Sequence, residues 1–248
     1  MAYRVELNAD LGESWYSNVV GQDEELMPYL DACNVACGLH GGDALTIQRT
    51  LELAARHGVA VGAHPSFPDR AGFGRRVVDM SDERLYALLL YQVSALSGMA
   101  QAAGLYLAHL KPHGALYHFT DRQPAAAASV VRVMEKLSIP ILYGPPGGAL
   151  EAAARKADLE FYAEGFADRV YEPTLHLRPR QKEDATIDDP GAAAEQARML
   201  ALEGRVVASD GNRYPLQVRT LCLHGDHPGA VDRARAVRAT LDAAWPAD

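Results

Sequence analysis

Asp10, His40 and His64 each follow a short apolar segment, at about the same depth past its end. In an α/β protein the carboxyl ends of parallel strands converge on one face, so one carboxylate and two imidazoles placed this way form a facial set. Such a set could hold a divalent metal with positions left open for water or substrate, and a water bound there would become nucleophilic near neutral pH. Without metal the same residues could act as a base and its orienter. The plainer alternative is that they bond to loop backbone and cap strand ends, since no local zinc-type spacing accompanies them.

These three belong to a series of runs dense in His, Asp and Gly: Asn8-Ala9-Asp10-Leu11-Gly12-Glu13, Ala36-Cys37-Gly38-Leu39-His40-Gly41-Gly42-Asp43, Gly62-Ala63-His64-Pro65, Lys111-Pro112-His113-Gly114, Phe166-Ala167-Asp168-Arg169 and Leu223-His224-Gly225-Asp226. In the fourth run Pro112 fixes the backbone and Gly114 permits close approach of a ligand, aiming Lys111 and His113 inward. A tight turn with a snorkelling lysine is its bland counterpart. Arg169 could clamp a carboxylate or phosphate, or pair structurally with Asp168. His224 and Asp226 suit acid/base work or the hydrogen-bonded support of it. Charges at such a mouth serve chemistry more than packing, so replacing Asp10 or Lys111 is expected to leave the fold intact.

Other runs carry less. Gly72-Phe73-Gly74-Arg75-Arg76 reads as a flexible loop with a solvated charged end, and Gly144-Pro145-Pro146-Gly147-Gly148 lacks the Lys-Ser/Thr of a P-loop, so no ATP site is expected here. His57, His109, His118, His176 and His227 are expected to be structural or exposed. Cys33 and Cys37 lack a second Cys/His pair and read as small core hydrophobes.

The positioning elements follow from periodicity. Short apolar runs at residues 3–8, 32–36, 59–63, 106–110, 139–143, 159–163 and 220–224 read as seven strands buried on both faces. Between them, spacings of three and four mark helices at 44–57, from Ser81 as N-cap, and at 123–137, 147–156, 190–204 and 228–244, with Gly58 and Gly104 as stops. Repeated β-α units without a composition break predict one domain over residues 1–248. Acids at Asp10 and Glu13 stand where a Rossmann turn would need bare amides, which favours a distorted, TIM-like barrel of seven strands. Two long connections, 64–80 and 164–190, are candidates for a lid or a partner surface. Asp210-Gly211-Asn212 reads as the turn of an appended hairpin.

Composition limits the partners. With 248 residues, 48% hydrophobic and a formal charge of −8, the chain can bury a large core and offers no electrostatic reason to meet nucleic acid or an anionic membrane. The N-terminus enters a strand without a signal region and the three cysteines are too few for a disulfide framework, so a cytoplasmic location is expected. Small molecules or proteins are the expected partners, and homo-oligomerisation stays open.

Taken in order across nearly the whole chain, these runs resemble those of the LamB/YcsF family, the A subunit of the bacterial ATP-dependent 5-oxoprolinase. The resemblance implies a seven-stranded (β/α) barrel of the glycoside hydrolase/deacetylase type. It also implies opening of the 5-oxoproline ring to L-glutamate, coupled to ATP hydrolysis in a complex with B and C subunits. By position it carries over Asp10, Glu13, His40, His64, Lys111, His113, Asp168, His224 and Asp226 as catalytic candidates, and Asn8, Asp43 and Arg169 as substrate-binding ones. Ala9, Gly41, Ser66-Phe67 and the 178–182 stretch depart from the family's usual residues. A stand-alone metal-dependent amidase or polysaccharide deacetylase is the competing reading, and a non-catalytic sugar binder a third. Only 7% aromatic content weighs against a sugar-stacking groove.

Overall fold

The computed structural model describes residues 4–245. Seven parallel strands close into a barrel: β1 (Glu6–Leu11), β2 (Ala32–Ala36), β3 (Ala60–His64), β4 (Leu107–Leu110), β5 (Ile141–Gly144), β6 (Glu160–Phe166) and, after a two-stranded insertion, β9 (Thr220–Leu223), which pairs with both β6 and β1. The insertion, β7 (Arg205–Val207) and β8 (Arg213–Pro215), is the expected hairpin, antiparallel and outside the barrel. No helix of the described residues is long and apolar enough to cross a membrane.

The helices form where the sequence supplies stripes and caps. After the short α1 (Asp23–Leu26), α2 (Ala44–His57) starts where Asp43 accepts from the amides of Leu45 and Thr46. It ends at Gly58 in the left-handed region, and buries Ile47, Leu51 and Ala54. Ser81 caps α3 (Asp82–Ala102) through the Arg84 amide. Then follow α4 (Gly114–Arg122), α5 (Pro124–Leu137), α6 (Ala149–Lys156), α7 (Pro190–Arg198), continued by one π-helical turn (Met199–Glu203), and α8 (Ala230–Ala244). The α4 helix was not expected; Gly114, Thr120 and the polar face around His118 weaken its periodicity, and the chain turns straight from Pro112 into it.

Two strands differ from their expected spans in a way that matters for the site. The segment expected at 3–8 begins in residues outside the described range and runs on to Leu11, and β6 reaches Phe166 rather than residue 163. Asp10 and Glu164 are therefore strand residues. Both looked like strand ends because they are charged, yet the barrel lumen accepts them as parts of one buried polar network. Lys111 Nζ donates to Asp10 Oδ1 and Glu164 Oε1, each at 2.9 Å, and lies 3.1 Å from Cys222 Sγ. Asn8 adds bonds to Glu164, Thr220 and Asn34, and Asn34 bonds Asp10 and His109. Lys111 therefore sits within the core rather than at an exposed mouth, which changes what its removal does.

Candidate active site

Four imidazole and carboxyl groups meet past the carboxyl ends of β1 to β4. Glu13 Oε1 lies 2.9 Å from His40 Nε2 and 3.5 Å from His113 Nδ1, and His113 Nδ1 lies 3.0 Å from His64 Nε2. One donor atom from each of Glu13, His40, His64 and His113 falls within 4.8 Å of every other, and all four residues are buried. The backbone fixes how two of them present themselves. His64 Nδ1 meets the carbonyl of Lys111 at 2.7 Å and His113 Nε2 that of Phe73 at 2.9 Å, and a carbonyl can only accept. Those nitrogens therefore donate, which turns His64 Nε2 and His113 Nδ1 toward each other inside the cluster. Carbonyl-oriented imidazoles are the usual support of a metal ligand.

Electrostatics agree. Burial and the neighbouring His64 bring the His113 pKa down to about 3 against the pull of Asp10, and burial with His113 and His64 drives His40 well down. Both rings are neutral and available as ligands. Burial and the charges of Asp10, Asp226 and Asp23 push the Glu13 carboxyl well above its usual range. A bound cation would reverse that push. The residues present thus fit a divalent metal, with Glu13 and His113 completing the set and Asp10 standing beside it. Asp10 Oδ2 is 3.3 Å from His64 Nε2, while Oδ1 is taken by Lys111. Despite burial, His64 and Lys111 hold the Asp10 carboxyl well below its usual range, so it is a carboxylate at neutral pH.

The 64–80 connection covers this cluster, contrary to the flexible loop expected from Gly72–Arg76. Phe73 packs edge-on against His40 and His113, and Trp15 stacks on Phe73. Asp69 pins the loop from inside through the Gly72 amide and the Arg76 guanidinium, and Arg70 binds the carbonyls of Gly38 and Gly42. A Cβ on Gly74 would stand 2.7 Å from His113 and 2.9 Å from His40, and one on Gly114 2.9 Å from the Gly74 carbonyl. The smallness of Gly114 serves this loop contact, and the residue also lines the pocket described next.

A pocket of about 270 Å³ opens beside the cluster, lined among others by Asp10, Glu13, His64, Lys111, His113, Arg169, His224 and Asp226. Asp168 sits behind it and orients His224, accepting from its amide at 2.8 Å and meeting its Nδ1 at 3.0 Å, and Nε2 has no hydrogen-bond partner among the described residues. Two sequence candidates do other work. Asp43 spends its oxygens on the α2 amides and the Tyr16 amide, and Asn8 lies under Lys111. His40 stays in the cluster, with Phe73 edge-on against it. Asp226 is paired with Arg75 at 2.9 Å. Lining residues that sequence reasoning passed over are Phe73, Arg75, Tyr117, Arg178 and Arg180. The arginines had a legible signal in their two basic runs, whereas Tyr117 had none.

Residues 5–245 match the model of the LamB/YcsF family. The chain belongs to the LamB/YcsF family. Among its LamB/YcsF relatives, the 5-oxoprolinase A subunit of Symbiobacterium thermophilum is 44% identical over 242 residues, covering 97% of this chain and 93% of that protein. The protein of the same name from Thermus thermophilus is 45% identical, covering 97% of both chains. The crystal structure of a lactam utilization protein from Thermus thermophilus superposes with a TM-score of 0.91 at 43% identity, covering 98% of this chain and 97% of that one. A putative cellobiose-phosphate cleavage protein from Enterococcus faecalis, at 12% identity and a TM-score of 0.54, shares the fold. The family reading and the seven-stranded barrel are thereby established, and the chain is an enzyme subunit of the cyclic-amide hydrolase kind.

Proposed function

We propose that this chain is the ring-opening A subunit of an ATP-dependent 5-oxoprolinase, converting 5-oxo-L-proline to L-glutamate with ATP hydrolysis supplied by B and C partner subunits. The observation that carries the reading is the convergence, on one small pocket, of the buried Glu13/His40/His64/His113 cluster with the Asp10–Lys111 and Asp168–His224 pairs. A divalent ion held by the cluster would acidify a bound water and polarise a carbonyl.

This chain's own residues divide the rest. Asp10, ionised at the pocket wall beside His64, takes a proton from the attacking water. Lys111, its charge sustained against burial by Asp10 and Glu164, faces the oxygen that gains charge as the carbonyl becomes tetrahedral. His224, held through Nδ1 by Asp168, presents Nε2 to the ring nitrogen. As the C–N bond breaks, that nitrogen takes up the proton that Asp10 removed from the water, giving the amine and carboxylate of glutamate. Asp226 and Arg75 form the opposite wall, and Arg169 binds substrate.

An unstrained lactam resists water, so the partners' ATP would activate it, for instance by phosphorylating the amide oxygen; addition of water to that carbon and cleavage of the C–N bond would then leave γ-glutamyl phosphate, whose hydrolysis releases glutamate and inorganic phosphate. The absence of a P-loop motif in this chain fits that division. The test is 5-oxoproline-dependent ATP hydrolysis and glutamate release by mixtures of this chain with B and C. The full mixture should turn over and this chain alone should not. Rapid glutamate formation by the chain alone would favour the stand-alone amidase reading, and hydrolysis of acetylated sugars without ATP the deacetylase one. A cytoplasmic location accords with an ATP-coupled reaction.

A further inference from the structure

Three guanidinium groups reach one side of the pocket: Arg75 from the 64–80 connection, Arg169 and Arg180 from the connection between β6 and α7. Charge at the rest of the pocket is matched. Lys111 has Asp10 and Glu164, His224 has Asp168, and Arg178 has Glu172 and Asp184. On the arginine side a single carboxylate, Asp226, serves two cations, at 2.9 Å from Arg75 and 4.0 Å from Arg180. Arg169 makes no ion pair among the described residues.

Arg169 is nevertheless 5% exposed, and its position is built. Nε donates to the Ala185 carbonyl at 3.1 Å and Nη2 to the Arg178 carbonyl at 2.7 Å, while Nη1 has no hydrogen-bond partner among the described residues. The two carbonyls belong to the same connection that delivers Arg180. The loop therefore holds one guanidinium rigidly by neutral groups and brings a second cation beside it. Burial and the charge of Arg180 bring the Arg169 pKa down to about 10, the mark of two cations kept close with too little negative charge between them. Burying a cation without a counter-charge is costly, and the cost is recovered when an anion enters.

We propose that Arg169 and Arg180 form a carboxylate receptor that makes the pocket specific for lactams bearing a ring carboxylate. Arg169 offers Nη1 to such a group, and Arg180 adds a second charge beside it. This assignment rests on the ring-opening reading for the identity of the substrate, but its test does not require turnover.

The experiment is calorimetric titration of the full chain with 5-oxo-L-proline and with 2-pyrrolidinone, which is the same ring without the carboxylate. Wild-type protein should bind 5-oxo-L-proline at least tenfold more tightly than 2-pyrrolidinone. Arg180→Gln, whose side chain sits at the partly exposed rim, should lose on the order of tenfold to a hundredfold for 5-oxo-L-proline and nothing for 2-pyrrolidinone. Arg169→Gln should lose as much or more, with circular dichroism confirming the fold; should it unfold, the Arg180 variant decides alone. Equal binding of the two ligands, no binding of 5-oxo-L-proline by wild type, or an Arg180→Gln variant that binds it like wild type would overturn the receptor. Selective carboxylate binding without glutamate release in the reconstituted mixture would instead count against the ring-opening reading.

Discussion

Placing a single methyl group on Gly74 tests whether the 64–80 loop is a rigid cover for the histidine cluster. Gly74 has φ 65°, and a Cβ there would lie 2.7 Å from His113 Cδ2 and 2.9 Å from His40 Cβ. Neither neighbour can yield cheaply, because His113 is held through both nitrogens and His40 is stacked on it with ring centroids 3.7 Å apart. Gly58 is the matched control: its φ is 67° and nothing lies within 4 Å of a Cβ built on it. Gly58→Ala should therefore cost only the left-handed backbone penalty, about 1–2 kcal/mol. Gly74→Ala should cost that plus an overpacking penalty of about 1–3 kcal/mol, or about 2–5 kcal/mol in all. At roughly 2–4 °C per kcal/mol for a chain of this size, thermal melts would separate the two variants by several degrees. Glutamate release in the reconstituted mixture should stay near wild type for Gly58→Ala and collapse for Gly74→Ala. If Gly74→Ala melts and turns over like the Gly58 variant, the loop does not hold the cluster.

Three further outcomes are expected. Glu13→Gln should lower zinc or manganese binding at least tenfold in equilibrium dialysis while Asp10→Asn keeps it; equal losses would restore Asp10 to the ligand set in the place that the sequence alone suggested. Lys111→Met should cost about 3–5 kcal/mol of stability in denaturant titrations, because it leaves Asp10 and Glu164 buried without their cation, and an unchanged melt would contradict that network. Burial raises the Asp168 carboxyl, but the His224 ring and amide together with Arg233 lower it more, so its folded pKa lies below the ordinary value. Its stabilising share is thus present above about pH 4 and lost as acid carries the pH down through the folded pKa, and Asp168→Asn should flatten the acid limb of a Tm-against-pH curve.

Much of this architecture was legible because parallel strands and amphipathic helices announce themselves locally. Residues 32–36 and 44–57 were placed to the residue, since the first is uniformly buried and the second has both an Asp43 cap and a Gly58 stop. The metal-ligand set was half legible. His64 ends its strand and His40 follows one closely, but Glu13 is placed by its contact with Gly41 and Gly42 and His113 by the meeting of Gly74 with Gly114, contacts between distant parts of the chain that no local pattern encodes. Glu164 was passed over for a related reason: a charged residue near a strand end reads as solvated, and only the closed barrel brings it to Lys111. Asp43 shows the converse, a polar residue in a motif-like run whose oxygens serve helix amides. The arginine side of the pocket could be seen only as basic runs, because charge balance is a property of the assembled site.

The most direct test of the central claim is omission of this chain from the reconstituted reaction in ¹⁸O-labelled water. With B and C subunits, ATP and 5-oxo-L-proline present, labelled oxygen should enter the γ-carboxylate of glutamate only when this chain is added. Addition of the Asp10→Asn variant instead should leave label near the background level. Labelled glutamate formed at the same rate without the chain would show that ring opening takes place elsewhere, and the assignment of the pocket would fall with it.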